Sequence, residues 1–305
     1  MAEIPSLLRT ELCGVTMKTP VIGASGTYGF GFEYAEMLDL NWVGAVSGKG
    51  LTLEGKYGNT GERLWETPSG LINSIGLQNP GVKHFIEKEL PEMKKHSPAV
   101  MANLGGSTVE TYEEGARLLD ASDVDFIVLN ISCPNVKAGG IAYGVKADSA
   151  REVVRRVRAC TTKPLVVKMS PNAENIVDMA LACEEAGADA LSLVNTFQAM
   201  AIDIERRRPV FDNIFAGLSG PAIRPIALRM VYQVCKAVKV PVVGLGGIAT
   251  AHDALEFIMA GATAVQVGTA NFADPQACEK IARGMARWME EHGVKSLDEI
   301  RGAAL

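Results

Sequence analysis

Asn130, Ser132 and Cys133 stand together at the end of an apolar run, DFIVLNIS, where it opens into the glycine-bearing loop CPNVKAGG. A thiol in that setting has two ordinary readings, a packing residue or a base or nucleophile whose thiolate is favoured by its surroundings. Related groups recur wherever a β-branched run ends: Ser25, Lys49, Asn103, Lys168 with Ser170, Asn195 with Thr196, Gly246 with Gly247, and Gly268 with Thr269. None of these places holds Asp, Glu or His, which argues against a hard-metal centre, a two-carboxylate glycosidase and a His-assisted nucleophile. Asparagine carries both donors and an acceptor, so a set of them can read a ring of alternating C=O and N–H groups, and lysine offers charge to an anion. One Asn in a turn is ordinary; its recurrence at several strand ends is less so.

The last two runs, GLGGIAT and VQVGTA, end in glycine and lead into helical patterns. Glycine lets backbone N–H groups approach phosphate oxygens, and a following helix N-terminus favours the anion. Gly244, Gly246 and Ala249 also match the dinucleotide pattern G-x-G-x-x-A. No initial βαβ unit surrounds it and no acid closes the next strand about 20 residues on, so a phosphate-bearing mononucleotide fits better than NAD. Lys168 would then either stabilise an anionic reduced flavin or bind phosphate directly.

The elements that must position these groups are eight short apolar runs, at 20–25, 42–49, 99–104, 125–132, 164–170, 190–196, 241–247 and 264–270. Helical patterns lie between them near 33–39, 81–95, 108–120, 148–160, 174–186, 221–238, 250–260 and 275–292, several opened by Asp, Ser or Thr caps or an early Pro. Eight strand–helix units without a linker-like break predict a single-domain α/β protein over residues 1–305, a (β/α)8 TIM barrel ahead of an open doubly wound sheet. Three longer segments, 51–72, 133–147 and 197–220, all follow a strand and so belong to the face where such barrels carry their sites. LRTELCGVTMK predicts a hairpin on the opposite face.

A net charge of -5 gives no electrostatic footprint for nucleic acid or an anionic membrane. The N-terminus has no continuous apolar stretch of signal-peptide or anchor type, so a cytoplasmic location is expected. Six scattered cysteines without ligand spacing argue against disulfides, zinc or an iron–sulfur cluster on this chain. The four histidines fall in helical patterns or loops and read as structural.

Taken together, NISCPNVKAGG, NSIGLQNPG, SGKGLT, VVKMSPN, SLVNTF, GLSGPAIRPIALRMVYQV, GLGGIAT and VQVGTA resemble class 1 dihydroorotate dehydrogenases, in chain order over essentially the whole chain. The Gly217–Val234 stretch and the CPNVKAGG loop are most similar to the NAD-linked subclass 1B rather than the fumarate-linked 1A. The membrane-bound class has Ser where Cys133 stands, and an N-terminal extension. Ser74 stands where the family commonly has Ala. The resemblance implies one FMN held by Ser25, Lys49, Gly50, Asn103, Asn130, Lys168, Val194, Gly220, Gly246, Gly247, Gly268 and Thr269. It implies dihydroorotate, or its product orotate, on Lys49, Asn73, Ser74, Ile75, Gly76, Leu77, Asn130, Asn195 and Thr196, with Cys133 as the base. It also implies a partner subunit carrying FAD and [2Fe–2S], two copies of each chain making a heterotetramer. Another flavin barrel acting on a dihydropyrimidine, a Schiff-base lyase using Lys168, and a silent binding barrel are the rival expectations.

Overall fold

Apolar residues that alternate between two buried faces give the chain its strands. The computed structural model describes residues 4–132 and 143–305. All eight expected strands form: β1 Val21–Gly23, β2 Ala45–Ser47, β3 Ala99–Leu104, β4 Phe126–Asn130, β5 Leu165–Lys168, β6 Ala190–Leu193, β7 Val242–Leu245 and β8 Ala264–Val267. They pair in parallel and close β8 onto β1, making the (β/α)8 barrel. Outside it lie α1 Val109–Asp120, α2 Ala147–Arg158, α3 Ile176–Glu185, α4 Arg224–Ala237, α5 Ala251–Met259 and α6 Ala277–Glu291. Their starts are written locally: Thr108 and Thr250 form capping boxes with Thr111 and Asp253, and Asn175 accepts from Val177 N and Asp178 N. The 81–95 pattern becomes a helical stretch with a π-turn at Phe85–Glu89.

The helix expected at 33–39 does not form. The chain makes two short 3-10 turns instead, Phe32–Tyr34 and Leu40–Trp42. Gly31 has φ +93 before the first, and the Asp39 carboxylate accepts from Asn41 N and starts the second, so no continuous α-helical run survives. α6 covers the first unit in place of that helix. Its Glu279 carboxylate accepts from Asp39 N at 2.9 Å, and Arg283 lies 4.1 Å over the Trp42 ring.

Followed strand to strand once around the barrel, the pairing register returns to β4 eight residues from its start. That shear stacks the inward side chains in layers contributed by alternate strands. The lowest layer is Ala45, Phe126, Ala190 and Ala264, and above it lie Ile22, Met101, Val166 and Val243, all part of one apolar cluster. Leu12 and Met17, from the expected hairpin Thr10–Leu12/Val15–Met17, join the same cluster and plug the floor. The third layer is Ser47, Val128, Ser192 and Gln266. The fourth holds Asn103, Lys168 and Leu245, with Ala24 just past the end of β1. The barrel interior therefore turns from apolar to polar half-way up.

Two of the long post-strand segments fold together above the mouth. Strands Leu64–Thr67, Gly70–Asn73, Phe215–Ser219 and Phe197–Met200 form one antiparallel sheet in that spatial order, the excursion sheet. The third segment, 133–147, lies largely outside the described residues.

Candidate active site at the barrel mouth

The site is built on strand ends, so its core is positioned by the barrel itself. Asn130 and Lys168 are register partners on β4 and β5, and Lys168 is the register partner of Ser192 on β6. Asn130 Nδ2 donates to Asn103 Oδ1 at 3.3 Å. The Asn130 main chain is fixed from outside by Tyr112 of α1, whose hydroxyl donates to its carbonyl at 2.8 Å. Ser132 Oγ donates to the Lys168 carbonyl and Ser132 N to Asn130 Oδ1, so the strand end leading to Cys133 is pinned to its neighbour. Cys133 itself lies outside the described residues.

Two groups in this core have unmet demands. Asn103 Nδ2 is buried with no hydrogen-bond acceptor among the described residues. Lys168 is buried with no carboxylate partner among them, and burial alone brings its ammonium down to about 8. A buried amide donor and a buried cation without an anion leave a cost unless something accepts from them. A planar ring bearing carbonyl and ring-nitrogen acceptors matches that donor set, so a flavin fits the residues present.

The glycine turns after β7 and β8 converge with the end of the excursion sheet. Gly246 and Gly247 have φ +130 and +75. A Cβ at 246 would lie 2.5 Å from the Ala227 methyl, and one at 247 would lie 2.7 Å from the Gly220 carbonyl oxygen. These positions need glycine for close approach as well as for their backbone angles. Thr269 Oγ1 donates to Ser219 Oγ at 2.8 Å, and its methyl faces Gly220. Arg224, at the start of α4, pairs with Asp253 and Glu256 of α5 and locks the two helices behind the Gly246–Gly247 turn. Val194 packs against Gly246. Gly268 sits by Ala24 and Thr27, next to Ser25 in the chain.

The residues expected to hold substrate fall on the other side of the mouth. Asn73 Nδ2 donates to the Gly217 carbonyl at 3.2 Å, and the Gly217 Cα lies so close to Thr196 that a side chain there would collide with the Thr196 hydroxyl. Asn73 and Thr196 are thus joined through one glycine of the excursion sheet. Asn195 Oδ1 accepts from Thr196 N at 2.8 Å. Ser74 is clamped by Asn59 and Asn213, and Leu77, at φ +55, packs over Gly50 and Gly105. Gly50 also faces Asn103, which carries the 73–77 turn to the edge of the polar core. Ser25 and Lys49 are partly buried and show no side-chain hydrogen bond among the described residues.

Reading the sequence missed Ser47, Ser192, Ser219, Tyr112 and Gln266. The signal available for Gln266 was its type: a two-ended amide inside AVQVG, a run otherwise made for a fully buried strand.

A closed (β/α)8 barrel with amides, lysines and glycine turns at the C-terminal ends of its strands is the architecture of enzymes that hold a phosphate-bearing cofactor there. The family model described as dihydroorotate dehydrogenase matches residues 7–289. The chain is 55% identical over 294 residues to the dihydroorotate dehydrogenase B (NAD(+)), catalytic subunit, of Petrotoga mobilis, covering 96% of this chain and 98% of that one. Proteins of the same name from Geotalea uraniireducens and Citrifermentans bemidjiense are 54% and 55% identical, over 98% and 97% of both chains in each pair. The chain belongs to the dihydroorotate dehydrogenase family.

Proposed function

We propose that this chain is the catalytic subunit of an NAD-linked dihydroorotate dehydrogenase, oxidising (S)-dihydroorotate to orotate for pyrimidine synthesis. The reading is carried by identity of about 55% to proteins of that name along nearly the full chain. The polar fourth layer, with an unpaired amide donor and an unpaired buried cation, suits the cofactor it requires.

FMN, when bound, supplies the hydride acceptor. Ser25, Lys49, Gly50, Asn103, Asn130, Lys168, Val194, Gly220, Gly246, Gly247, Gly268 and Thr269 would hold it, with Lys168 offering positive charge to the ring and the glycine turns approaching the phosphate. Lys49 attracts the substrate carboxylate, while Asn73, Asn130, Asn195 and Thr196 and the backbone of Ser74, Ile75, Gly76 and Leu77 orient its ring. Cys133 takes the proton from C5 as hydride leaves C6, and the C5–C6 double bond forms. A thiol titrates near enough to neutrality to do this without a carboxylate partner.

The electrons then pass to a second subunit carrying FAD and [2Fe–2S], which reduces NAD+, in a heterotetramer of two chains of each kind. Fumarate linkage, as in subclass 1A, is the alternative that an acceptor assay separates. Free thiols at all five described cysteines suit a reducing cytoplasm. Among the described residues no helix is long and apolar enough to cross a membrane.

The purified chain is expected to be yellow and to release one FMN per chain, measured by absorbance and mass spectrometry. Release of FAD, or no flavin uptake on reconstitution, would overturn the reading.

A further inference from the structure

Beneath the cofactor layer the barrel contains a second polar layer that the reaction does not explain. Ser47 Oγ, Ser192 Oγ and both ends of the Gln266 amide are buried, and none has a hydrogen-bond partner among the described residues. These groups come from β2, β6 and β8, and the register sets them in one layer across the barrel axis, with Val128 as the fourth member. Turning the Gln266 amide over changes nothing, because its nitrogen and its oxygen are both unpartnered. Apolar residues would fill this layer at no such cost, as they do in the two layers below. One layer up, Lys168 is a buried cation with no carboxylate, and Ser192 is its register partner.

Orphaned groups gathered at one level, with a cation above them, mark a place for ordered water, since a buried water needs two to four polar partners. We propose that Gln266, with Ser47 and Ser192, holds water beneath the cofactor layer and that this water hydrogen-bonds the Lys168 ammonium from below, making Gln266 a positioning residue for Lys168. The proposal rests on the flavin reading only for its consequence on cofactor binding. The water layer itself belongs to the protein without cofactor.

The test uses the full chain stripped of cofactor, with Gln266→Met and Gln266→Glu, which are similar in size, and Ser192→Ala. If the water network exists, Gln266→Met and Ser192→Ala each lower Tm by about 3 °C or more, and Gln266→Glu, which keeps its acceptors, does not. If the layer is dry, removing an unsatisfied polar group leaves Tm unchanged or raises it, and the proposal fails. A purely steric role would instead make Met and Glu behave alike, which also overturns it. A crystal structure of the wild-type chain should place a water within about 3 Å of the Gln266 amide and of Lys168 Nζ or Ser192 Oγ. A layer without such water overturns the proposal even if a variant fails to fold. On reconstitution, Gln266→Met should bind free FMN about tenfold more weakly than wild type, as expected when a group holding the cation is lost. Absence of FMN binding to the wild type would discard the flavin reading, while the melting and diffraction results would still decide on the water.

Discussion

Lys168 is the residue whose chemistry depends most on what fills the site. Its ordinary value is 10.5, and burial brings it to about 8. Between those values the unfolded chain holds a proton that the folded chain has released, so stability rises with pH across that window. Below pH 8 both states are protonated and the buried charge costs its full amount, on the order of 3 kcal/mol. Lys168→Met without cofactor is therefore expected to melt higher than wild type at pH 7, with the gap closing between pH 8 and 10.5, and to hold FMN less well. A wild type more stable than the variant at pH 7 would contradict this. Cys133→Ala is expected to keep its flavin yet slow flavin reduction by dihydroorotate by about two orders of magnitude or more, read by stopped-flow. A wild-type rate would place the base elsewhere.

At the scale of elements, the proposed function gives the excursion sheet the reading of substrate. Gly217 is the contact through which Asn73 and Thr196 meet. Gly217→Ala should push those two residues apart, raising KM for dihydroorotate by roughly tenfold while the barrel keeps its melting temperature within a few degrees. An unchanged KM would remove the sheet from substrate recognition. The sheet was not legible in the sequence: its strands are short and largely exposed, without the apolar runs of the barrel strands, and the pairing that joins its two hairpins, 71–73 with 217–219, links segments far apart in the chain. The eight barrel strands were legible because each is apolar on both faces, as a parallel sheet covered by helices requires. The strand-end residues could be listed for the same reason, since a strand's last residue is placed by the strand. The helix expected at 33–39 failed where Gly31 and Asp39 imposed turn geometry on a helical pattern. Gln266 escaped notice because one amide inside an apolar strand has the same periodicity as a valine there.

For the molecule as a whole, the distribution of redox chemistry is the defining expectation. The proposed function places one cofactor at the mouth, and the five described cysteines are free thiols. The isolated chain is therefore expected to oxidise dihydroorotate with artificial acceptors, to reduce NAD+ negligibly, and to gain NAD+ reduction when its partner subunit is added. Efficient NAD+ reduction by the isolated chain would contradict the division of labour, and brisk turnover with fumarate would move the chain to subclass 1A.

The closure of β8 onto β1 has a consequence for how the protein is made. Val21–Gly23 leaves the ribosome early, yet its partner Ala264–Val267 is synthesised some 240 residues later. At about 5 to 20 residues per second, one edge of the nascent sheet waits roughly 10 to 50 seconds for the strand that covers it. During that interval Val21 and Ile22 present an unpaired apolar edge, the kind that joins to other chains. Ribosome-bound chains stalled before Val267 should thus associate with holding chaperones and resist release in native form, and chains extended beyond α6 should not.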